Sequence, residues 1–210
     1  MRADADRTLG LVLSGGAGSR VGGKDKGLQS LLGRPLVGHM LAALRLQCDA
    51  LVVSANRNID AYAGYAPTIH DENPTHLGPL GGLIVTFGFL AANRHASFQW
   101  LLTAPVDCPD PPCDLALRLH AALTTHTDSV CAYMRHAGVA QPLFALYRIE
   151  NDIEGLRASA QSALDVHGSP MHWHKSLNAL AVDFNADESA FHNLNTPAEF
   201  AEYERTHAGS

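Results

Sequence analysis

The sequence predicts an α/β fold in which a mostly parallel sheet is covered by helices on both faces. Short apolar segments of strand length alternate along the chain with longer segments of helical periodicity. The first apolar segment, residues 9–14 with the sequence LGLVLS, is almost entirely hydrophobic, as expected for a strand buried on both faces. No internal repeat or low-complexity linker interrupts the pattern, which favours one continuous domain.

The elements can be assigned in order along the chain. Strands are predicted at residues 9–14, 50–55, 68–70, 100–103, 130–134, 143–147 and 182–184, and helices at residues 36–46, 79–93, 114–123 and from 197 onward. Pro35, Pro79 and Pro197 each suit the first turn of a helix, and Thr196 is a good N-cap for the last one.

The predicted topology also indicates where a ligand should bind. In parallel sheets of this kind the binding site lies beyond the carboxyl ends of the strands. We therefore expect the segments that follow Ser14, Ala55, His70 and Thr103 to converge on one site.

The length and composition fit a single globular domain. The chain has 210 residues, of which we assign 9–205 to the domain and 1–8 to a disordered N-terminal extension. Hydrophobic residues make up 46% of the chain and charged residues 17%, which argues against wholesale disorder. The formal net charge of -6 disfavours a nonspecific nucleic-acid binder.

The sequence carries no signal for a membrane or for secretion. No apolar run approaches the roughly 20 residues that a membrane-spanning helix needs, and the N-terminus lacks the apolar core of a secretory signal. We therefore expect a cytoplasmic protein, and we take it to be a monomer. Its four cysteines should then be free thiols, and the spacing of Cys108 and Cys113 is only a weak indication of zinc.

A Gly-rich segment follows the first predicted strand. Residues 13–27 read LSGGAGSRVGGKDKG, and backbone amides at glycines can approach an anion closely. Arg20, Lys24 and Lys26 add positive charge suited to phosphate oxygens. The segment differs from a P-loop, which needs Ser or Thr after Gly-Lys, and from the dinucleotide motif, which needs Gly at position 21. These residues indicate a triphosphate site of another kind.

This segment resembles the opening motif of the molybdenum cofactor guanylyltransferases, L-A-G-G-x-x-x-R-M-G-G-x-D-K-G. Ser14 replaces the Ala, Val21 replaces the Met, and the other specified positions match. The resemblance implies a three-layer, Rossmann-like nucleotidyltransferase fold and magnesium-dependent transfer of GMP from GTP to the phosphate of molybdopterin. Related cytidylyltransferases have Ala-Ala-Gly at positions 14–16, so Gly15 favours a larger purine near the backbone.

Two segments resemble the part of the family that contacts the base. Ser54 and Asn56 follow the second predicted strand, where the family has S/N-A-N-R facing the base. Asp71 falls where a carboxylate can accept hydrogen bonds from guanine N1–H and the exocyclic amine. Gly82 belongs to a G-P-L-x-G motif at a helix start that lines the site. Ordinary turn chemistry and a plain helix start remain alternative interpretations.

Two further segments resemble the metal loop and the pterin end of the family's site. Asp107 lies between two prolines, as in the family's P-C-D-x-P motif, in which the Asp binds the metal. Asn193 and Asn195 match an N-x-N-T-P motif that helps to hold the pterin, although Asn195-Thr196-Pro197 would also serve as a helix cap. Candidate cations for the molybdopterin phosphate are His167, His172, His174 and Lys175.

The resemblance therefore implies three sets of site residues. The catalytic set is Arg20, Lys26 and Asp107, with Asp107 as the ligand of Mg²⁺, for which Mn²⁺ could substitute. The GTP-binding set is Leu13, Ser14, Gly15, Gly16, Lys26, Ser54, Asn56, Asp71 and Asp107. The molybdopterin-binding set is Gly22, Gly82, Asn193 and Asn195.

Two alternatives to this function stay open. One is a molybdopterin cytidylyltransferase, or another nucleotidyltransferase acting on a small-molecule phosphate with the same fold. The other is a GTP-binding module without catalytic activity. Expected partners are GTP and molybdopterin, with transient contacts to cofactor-biosynthesis proteins or acceptor molybdoenzymes, and neither nucleic acid nor a membrane.

Overall fold

The computed structural model describes residues 7–14, 25–71, 78–93, 98–184 and 193–208. Its strands are β1 (Thr8–Leu13), β2 (Ser30–Leu31), β3 (Arg34–Pro35), β4 (Ala50–Ser54), β5 (Thr68–Ile69), β6 (Trp100–Pro105), β7 (Cys131–His136), β8 (Val139–Arg148) and β9 (Leu180–Phe184). Its helices are α1 (Leu36–Leu44), α2 (Ile59–Ala63), α3 (Gly78–Ala92), α4 (Leu115–Thr125), α5 (Ile153–Val166), α6 (Pro170–Ser176) and α7 (Pro197–His207), with a 3₁₀ turn at Lys26–Leu28.

Seven of these strands form one sheet in the order β5-β4-β1-β6-β8-β7-β9. The pairs β4/β5, β1/β4, β1/β6 and β7/β9 are parallel, whereas β8 runs antiparallel to both of its neighbours. The short strands β2 and β3 form a separate hairpin. The prediction of a mostly parallel sheet is therefore confirmed.

Helices cover both faces of the sheet, as alternation along β1 illustrates. Val12 belongs to a core cluster with side chains from α1, α2, α4 and α7, whereas Leu11 and Leu13 belong to a second cluster with α3, α5 and α6. Successive strand residues point to opposite faces, so an apolar strand supplies both clusters. The predicted three-layer architecture is confirmed.

The structure moves several predicted boundaries. Thr8, which we assigned to the N-terminal extension, is buried as the first residue of β1, because Trp100 and Asp49 hold its backbone. Pro35 precedes α1 in extended conformation and pairs in β3, so it is not in the first turn as predicted. The first helix ends at Leu44 rather than residue 46.

The short helix α2 and the helices α5 and α6 were not predicted from the sequence. In α5, Leu156 and Ala160 are buried, and Ile153 and Leu164 pack against the same core cluster, so its apolar residues do follow a helical spacing in the sequence. Its start is also capped, because the Asp152 side chain accepts a hydrogen bond from the Gly155 amide. None of the helices in the described part of the chain is long and apolar enough to cross a membrane.

Candidate active site

Four neighbouring parallel strands end at the same edge of the sheet. These strands are β5, β4, β1 and β6, which end at Ile69, Ser54, Leu13 and Pro105. Backbone pairing continues just past the strand ends, since the Ser14 amide donates to Ser54 O at 2.9 Å and the Val106 amide to Leu13 O at 3.1 Å. The convergence that the sequence predicted is confirmed by this topology.

A polar cluster of Lys26, Asp107 and Asn195 lies at this edge. Lys26 Nζ is 2.8 Å from Asp107 Oδ2 and 2.6 Å from Asn195 Oδ1. The side chains of Lys26 and Asp107 are 20% and 25% exposed, so the ion pair is shielded but open to a ligand. Three residues that we selected from separate motifs thus meet in one place.

Asp107 is positioned by the backbone on both sides of it. The residue before it, Val106, extends the pairing with β1, and the carbonyl of Asp107 accepts from the Leu194 amide at 2.8 Å. Three residues further on, the Asp110 carboxylate accepts a hydrogen bond from the Tyr203 hydroxyl of α7. The loop after β6 is therefore tied both to the sheet and to the C-terminal helix.

The donor set around Asp107 suits a divalent cation that also takes ligands from its substrate. The described residues contain no group of three or more His, Cys, Asp or Glu side chains that could hold a metal by themselves. Mg²⁺ commonly binds one or two carboxylates and completes its shell with water and phosphate oxygens. The partly exposed Asp107 carboxylate fits this kind of site, which a triphosphate would complete.

Asn195 belongs to the cap of α7. The Thr196 hydroxyl accepts from the Glu199 amide at 3.3 Å, and the Glu199 carboxylate accepts from the Thr196 amide at 2.8 Å and from the Asn195 amide. These hydrogen bonds hold the pKa of Glu199 below its usual range, and the bond from the Asn195 amide has the largest effect. The predicted cap is confirmed as a capping box, and it presents the Asn195 side chain to Lys26.

The residues predicted to contact the base occupy the ends of β4 and β5. Asn56 Oδ1 accepts from the Asp71 amide at 2.9 Å, which fixes the two residues against each other. Ser54 is 6% exposed, and a Cβ on Gly82 would come within 2.7 Å of its hydroxyl oxygen. Gly82 therefore lets α3 pack closely against the end of β4, and Ser54 is mostly covered.

The Gly-rich segment is described only at its two ends. Leu13 is buried and Ser14 is half-buried. The described chain resumes at Asp25, immediately before Lys26. The other predicted site residues of this segment lie outside the described residues, namely Gly15, Gly16, Arg20 and Gly22, together with Lys24.

The histidines on α6 differ sharply in exposure. His174 is fully buried, its Nε2 lies 2.7 Å from the Tyr147 hydroxyl, and burial lowers its pKa to about 4. It is neutral at physiological pH, so its selection as a cation for the molybdopterin phosphate was wrong. His172 is exposed, with its ring centroid 3.9 Å from that of His167.

Two residues near the site were not selected from the sequence. Tyr62 of α2 is fully buried, and its hydroxyl contacts Ser14 and Asp25. Asp25 caps the 3₁₀ turn that carries Lys26, accepting from the Gly27 amide at 3.2 Å. Asp25 stands in the motif and could have been found there, whereas an isolated tyrosine in an unpredicted helix gives no signal.

The chain is similar to known nucleotidyltransferases. The family model described as a MobA-like NTP transferase domain matches residues 10–182. A molybdenum cofactor guanylyltransferase of Burkholderia vietnamiensis is 37% identical over 91% of this chain and 93% of its own. One of Vibrio cholerae is 36% identical over 95% of this chain and 93% of its own.

Solved structures support the fold. The molybdopterin-guanine dinucleotide biosynthesis protein A of Archaeoglobus fulgidus aligns with a TM-score of 0.71 at 21% identity, over 96% of this chain and all of its own. A Mycobacterium tuberculosis protein solved in complex with manganese aligns with a TM-score of 0.64 at 14% identity, over 95% and 98% of the two chains. From the family model and the extent of identity, we conclude that the chain belongs to the molybdenum cofactor guanylyltransferases, a family of nucleotidyltransferases.

Proposed function

We propose that this enzyme transfers GMP from GTP to the phosphate of molybdopterin and releases pyrophosphate. The observation that carries the proposal is the pairing of Lys26 with Asp107 at the carboxyl edge of the sheet, in a chain that is similar to named guanylyltransferases over most of its length. An ammonium and a metal-binding carboxylate side by side suit a reaction between two strongly anionic reactants.

The chemistry requires no nucleophile from the protein. A phosphate oxygen of molybdopterin attacks the α-phosphorus of GTP in line, and the bond from this phosphorus to the oxygen bridging to the β-phosphate breaks. Lys26 donates to phosphate oxygens and offsets their charge, and we propose the same role for Arg20. We propose that backbone amides after Ser14, at Gly15 and Gly16, bind the nucleotide phosphates.

We propose Asp107 as the protein ligand of a divalent cation, Mg²⁺ in the cell with Mn²⁺ as a substitute. When bound, this ion neutralises charge on the α-phosphate and on the pyrophosphate leaving group. The hydrogen bond from Leu194 to the Asp107 carbonyl keeps the carboxylate at the edge of the sheet. Lys26 Nζ lies 2.8 Å from Oδ2 of this carboxylate, so the GTP phosphates and the metal would bind beside the same pair of charges.

Base selection is proposed to depend on Asp71 and Asn56. The Asn56 side chain is committed to the Asp71 amide at 2.9 Å, so its role is to hold Asp71 in place. The Asp71 carboxylate then accepts from guanine N1–H and the exocyclic amine. Gly82, Asn193, Asn195 and Gly22 remain our candidates for the molybdopterin side, and Asn195 would reach the acceptor phosphate together with Lys26.

We place the reaction in the cytoplasm, a reducing compartment in which disulfides are rare, and none of the four cysteines, all within the described residues, is in a disulfide. We propose a monomer as the active form. The product has to reach enzymes that use it, so transient contacts with cofactor-biosynthesis proteins or acceptor molybdoenzymes form part of the proposal.

The proposed function is tested by supplying molybdopterin and Mg²⁺ with GTP, CTP, UTP or ATP in turn. We expect pyrophosphate release with GTP, and a product with the mass of molybdopterin plus GMP. Preference for CTP would favour a molybdopterin cytidylyltransferase. Nucleotide binding without pyrophosphate release would identify a GTP-binding module instead.

A further inference from the structure

The two ends of the Gly-rich segment are joined by a hydrogen-bond chain through α2. Ser14 Oγ donates to the Tyr62 hydroxyl oxygen at 2.5 Å, and the Tyr62 hydroxyl donates to Asp25 Oδ1. Within the Gly-rich segment, Ser14 is the last described residue of the first end, and the described chain resumes at Asp25. A single buried hydroxyl thus connects the end of β1 to the turn that carries Lys26.

Asp25 is the point at which this chain reaches the Lys26 turn. Its carboxylate accepts from the Gly27 amide at 3.2 Å, which caps the 3₁₀ turn, and from Asn58 Nδ2 at 2.9 Å. Asn58 adopts a left-handed φ of 50° at the start of α2, and its side chain reaches Asp25 instead of capping its own helix. Residues from α2 therefore bind both oxygens of the Asp25 carboxylate.

The packing beneath the turn leaves no room for a side chain at position 27. Tyr62 is fully buried, and a Cβ on Gly27 would lie 2.3 Å from both the Tyr62 and the Ser14 hydroxyl oxygens. Glycine at position 27 is thus needed for the two hydroxyls to meet beneath the turn. Burial is the largest cause that raises the pKa of Tyr62 above its ordinary value, and the hydrogen bond to Asp25 is the second. The hydroxyl therefore keeps its proton and remains a donor.

We infer that Tyr62 is a positioning residue for GMP transfer, which holds the Lys26 turn against the end of β1 and so keeps the ammonium at Asp107. The inference rests on the proposed function. Lys26 Nζ must stay within hydrogen-bonding distance of the transferring phosphate. Without the Tyr62 hydroxyl, the turn that carries Lys26 loses its hydrogen-bonded connection to the end of β1. The residues proposed to recognise the base, Asn56 and Asp71, follow β4 and β5 and are not members of this hydrogen-bond chain.

The substitution Tyr62→Phe removes the hydroxyl and keeps the buried ring. We expect kcat to fall about tenfold, the size expected from losing a hydrogen bond to a charged group. The KM for GTP should change by less than about threefold, because base recognition is retained. The matched control is Tyr147→Phe, which also removes a buried hydroxyl but at β8, where it contacts His174. That variant should keep wild-type kcat.

A double-mutant cycle with Lys26→Ala separates positioning from general destabilisation. If Tyr62 acts through Lys26, Tyr62→Phe should cause little further loss of kcat once Lys26 has been removed. Asn58→Gly provides an independent variant, because it removes an exposed side chain from Asp25, and glycine accepts the left-handed φ. We expect it to lower kcat about threefold without changing Tm by more than a few degrees.

The inference would be overturned by a Tyr62→Phe enzyme with kcat within twofold of wild type. It would equally be overturned by the same fractional loss with and without Lys26. A wild-type enzyme that transfers no GMP would instead refute the proposed function itself. The two failures are therefore distinguishable, because wild-type activity is measured first.

Discussion

Lys26 Nζ and Asp107 Oδ2 lie 2.8 Å apart, although 81 residues separate them in the sequence. Lys26 comes from the turn at the end of the Gly-rich segment, and Asp107 from the loop after β6. The adjacent parallel strands β1 and β6 bring these two segments together. This pair of opposite charges is the centre of the proposed site, and most of the predictions below concern it.

Removing the Lys26 ammonium should impair transfer strongly. Lys26→Ala is expected to lower kcat/KM for GTP by about 2 kcal/mol or more, roughly thirtyfold, because charge-assisted hydrogen bonds to phosphate are strong in a shielded site. Lys24→Ala, two residues earlier and unmatched in the family motif, should cost far less. The kcat/KM of both variants is measured by steady-state kinetics. If the two variants lose kcat/KM equally, the segment acts through its net charge alone, and our assignment of Lys26 is refuted.

Removing the Asp107 carboxylate should abolish the metal-dependent part of catalysis. For Asp107→Ala we expect turnover to fall at least about a hundredfold, as on loss of a strong electrostatic group, with the fold retained. Asp114→Ala is the matched control, because Asp114 stands at the N-cap position of α4, where its carboxylate makes no capping hydrogen bond and lies 3.9 Å from the Arg118 guanidinium. Near-wild-type turnover of Asp107→Ala at saturating Mg²⁺ would exclude Asp107 as the metal ligand.

Asp71 should determine the choice of base. Asp71→Asn keeps the backbone amide that Asn56 binds, but it replaces one carboxylate oxygen with a hydrogen-bond donor. A site built to satisfy guanine donors should then lose more kcat/KM with GTP than with ATP or CTP. Competition assays with the three nucleotides measure this difference, and equal losses for all three would mean that Asp71 is structural.

The buried His174 should make stability depend on pH. Its pKa is about 4 in the folded protein against about 6.5 when unfolded, so between these values the unfolded chain binds more protons. Stability is therefore lost as the pH falls from 6.5 towards 4, by up to about 3 kcal/mol. Urea unfolding measures the free energy of unfolding at pH 7 and at pH 5. The decrease between these two pH values should be smaller for His174→Gln than for wild type.

The exposed His172 on the same helix provides the control for this measurement. His172→Gln should retain the wild-type loss of stability on acidification. If His174→Gln and His172→Gln respond alike to pH, the acid sensitivity has another origin.

The sequence predicted the central sheet because its strands are continuous apolar segments with clear ends. The Leu9–Ser14 segment shows this well, as β1 differs from it by one residue at each end. Lys26 and Asp107 were predicted together because parallel strands end at a common edge. The hydrogen bond from Lys26 to Asn195 could not be predicted, since it depends on how the cap of α7 faces the sheet.

The roles of Tyr62 and His174 were not predicted, because they depend on tertiary contacts that the sequence does not show. Tyr62 lies in a five-residue helix, too short to show periodicity, and its importance comes from a hydroxyl that meets Ser14 and Asp25. His174 and the exposed His172 are the same residue type. Tertiary packing distinguishes them, because the His174 ring lies against Tyr133, Tyr147 and Trp173. Burial of a single polar side chain is a property of the tertiary fold and not of the local sequence.

The most direct test of the account is to follow the α-phosphorus of GTP. Wild-type enzyme would be incubated with molybdopterin, Mg²⁺ and GTP labelled at either the α- or the γ-phosphate. We predict that the α-label enters the molybdopterin product and that the γ-label leaves as pyrophosphate, with both signals reduced at least about a hundredfold in Asp107→Ala. Label from the γ-phosphate in the product, or no labelled product from wild-type enzyme, would contradict the account.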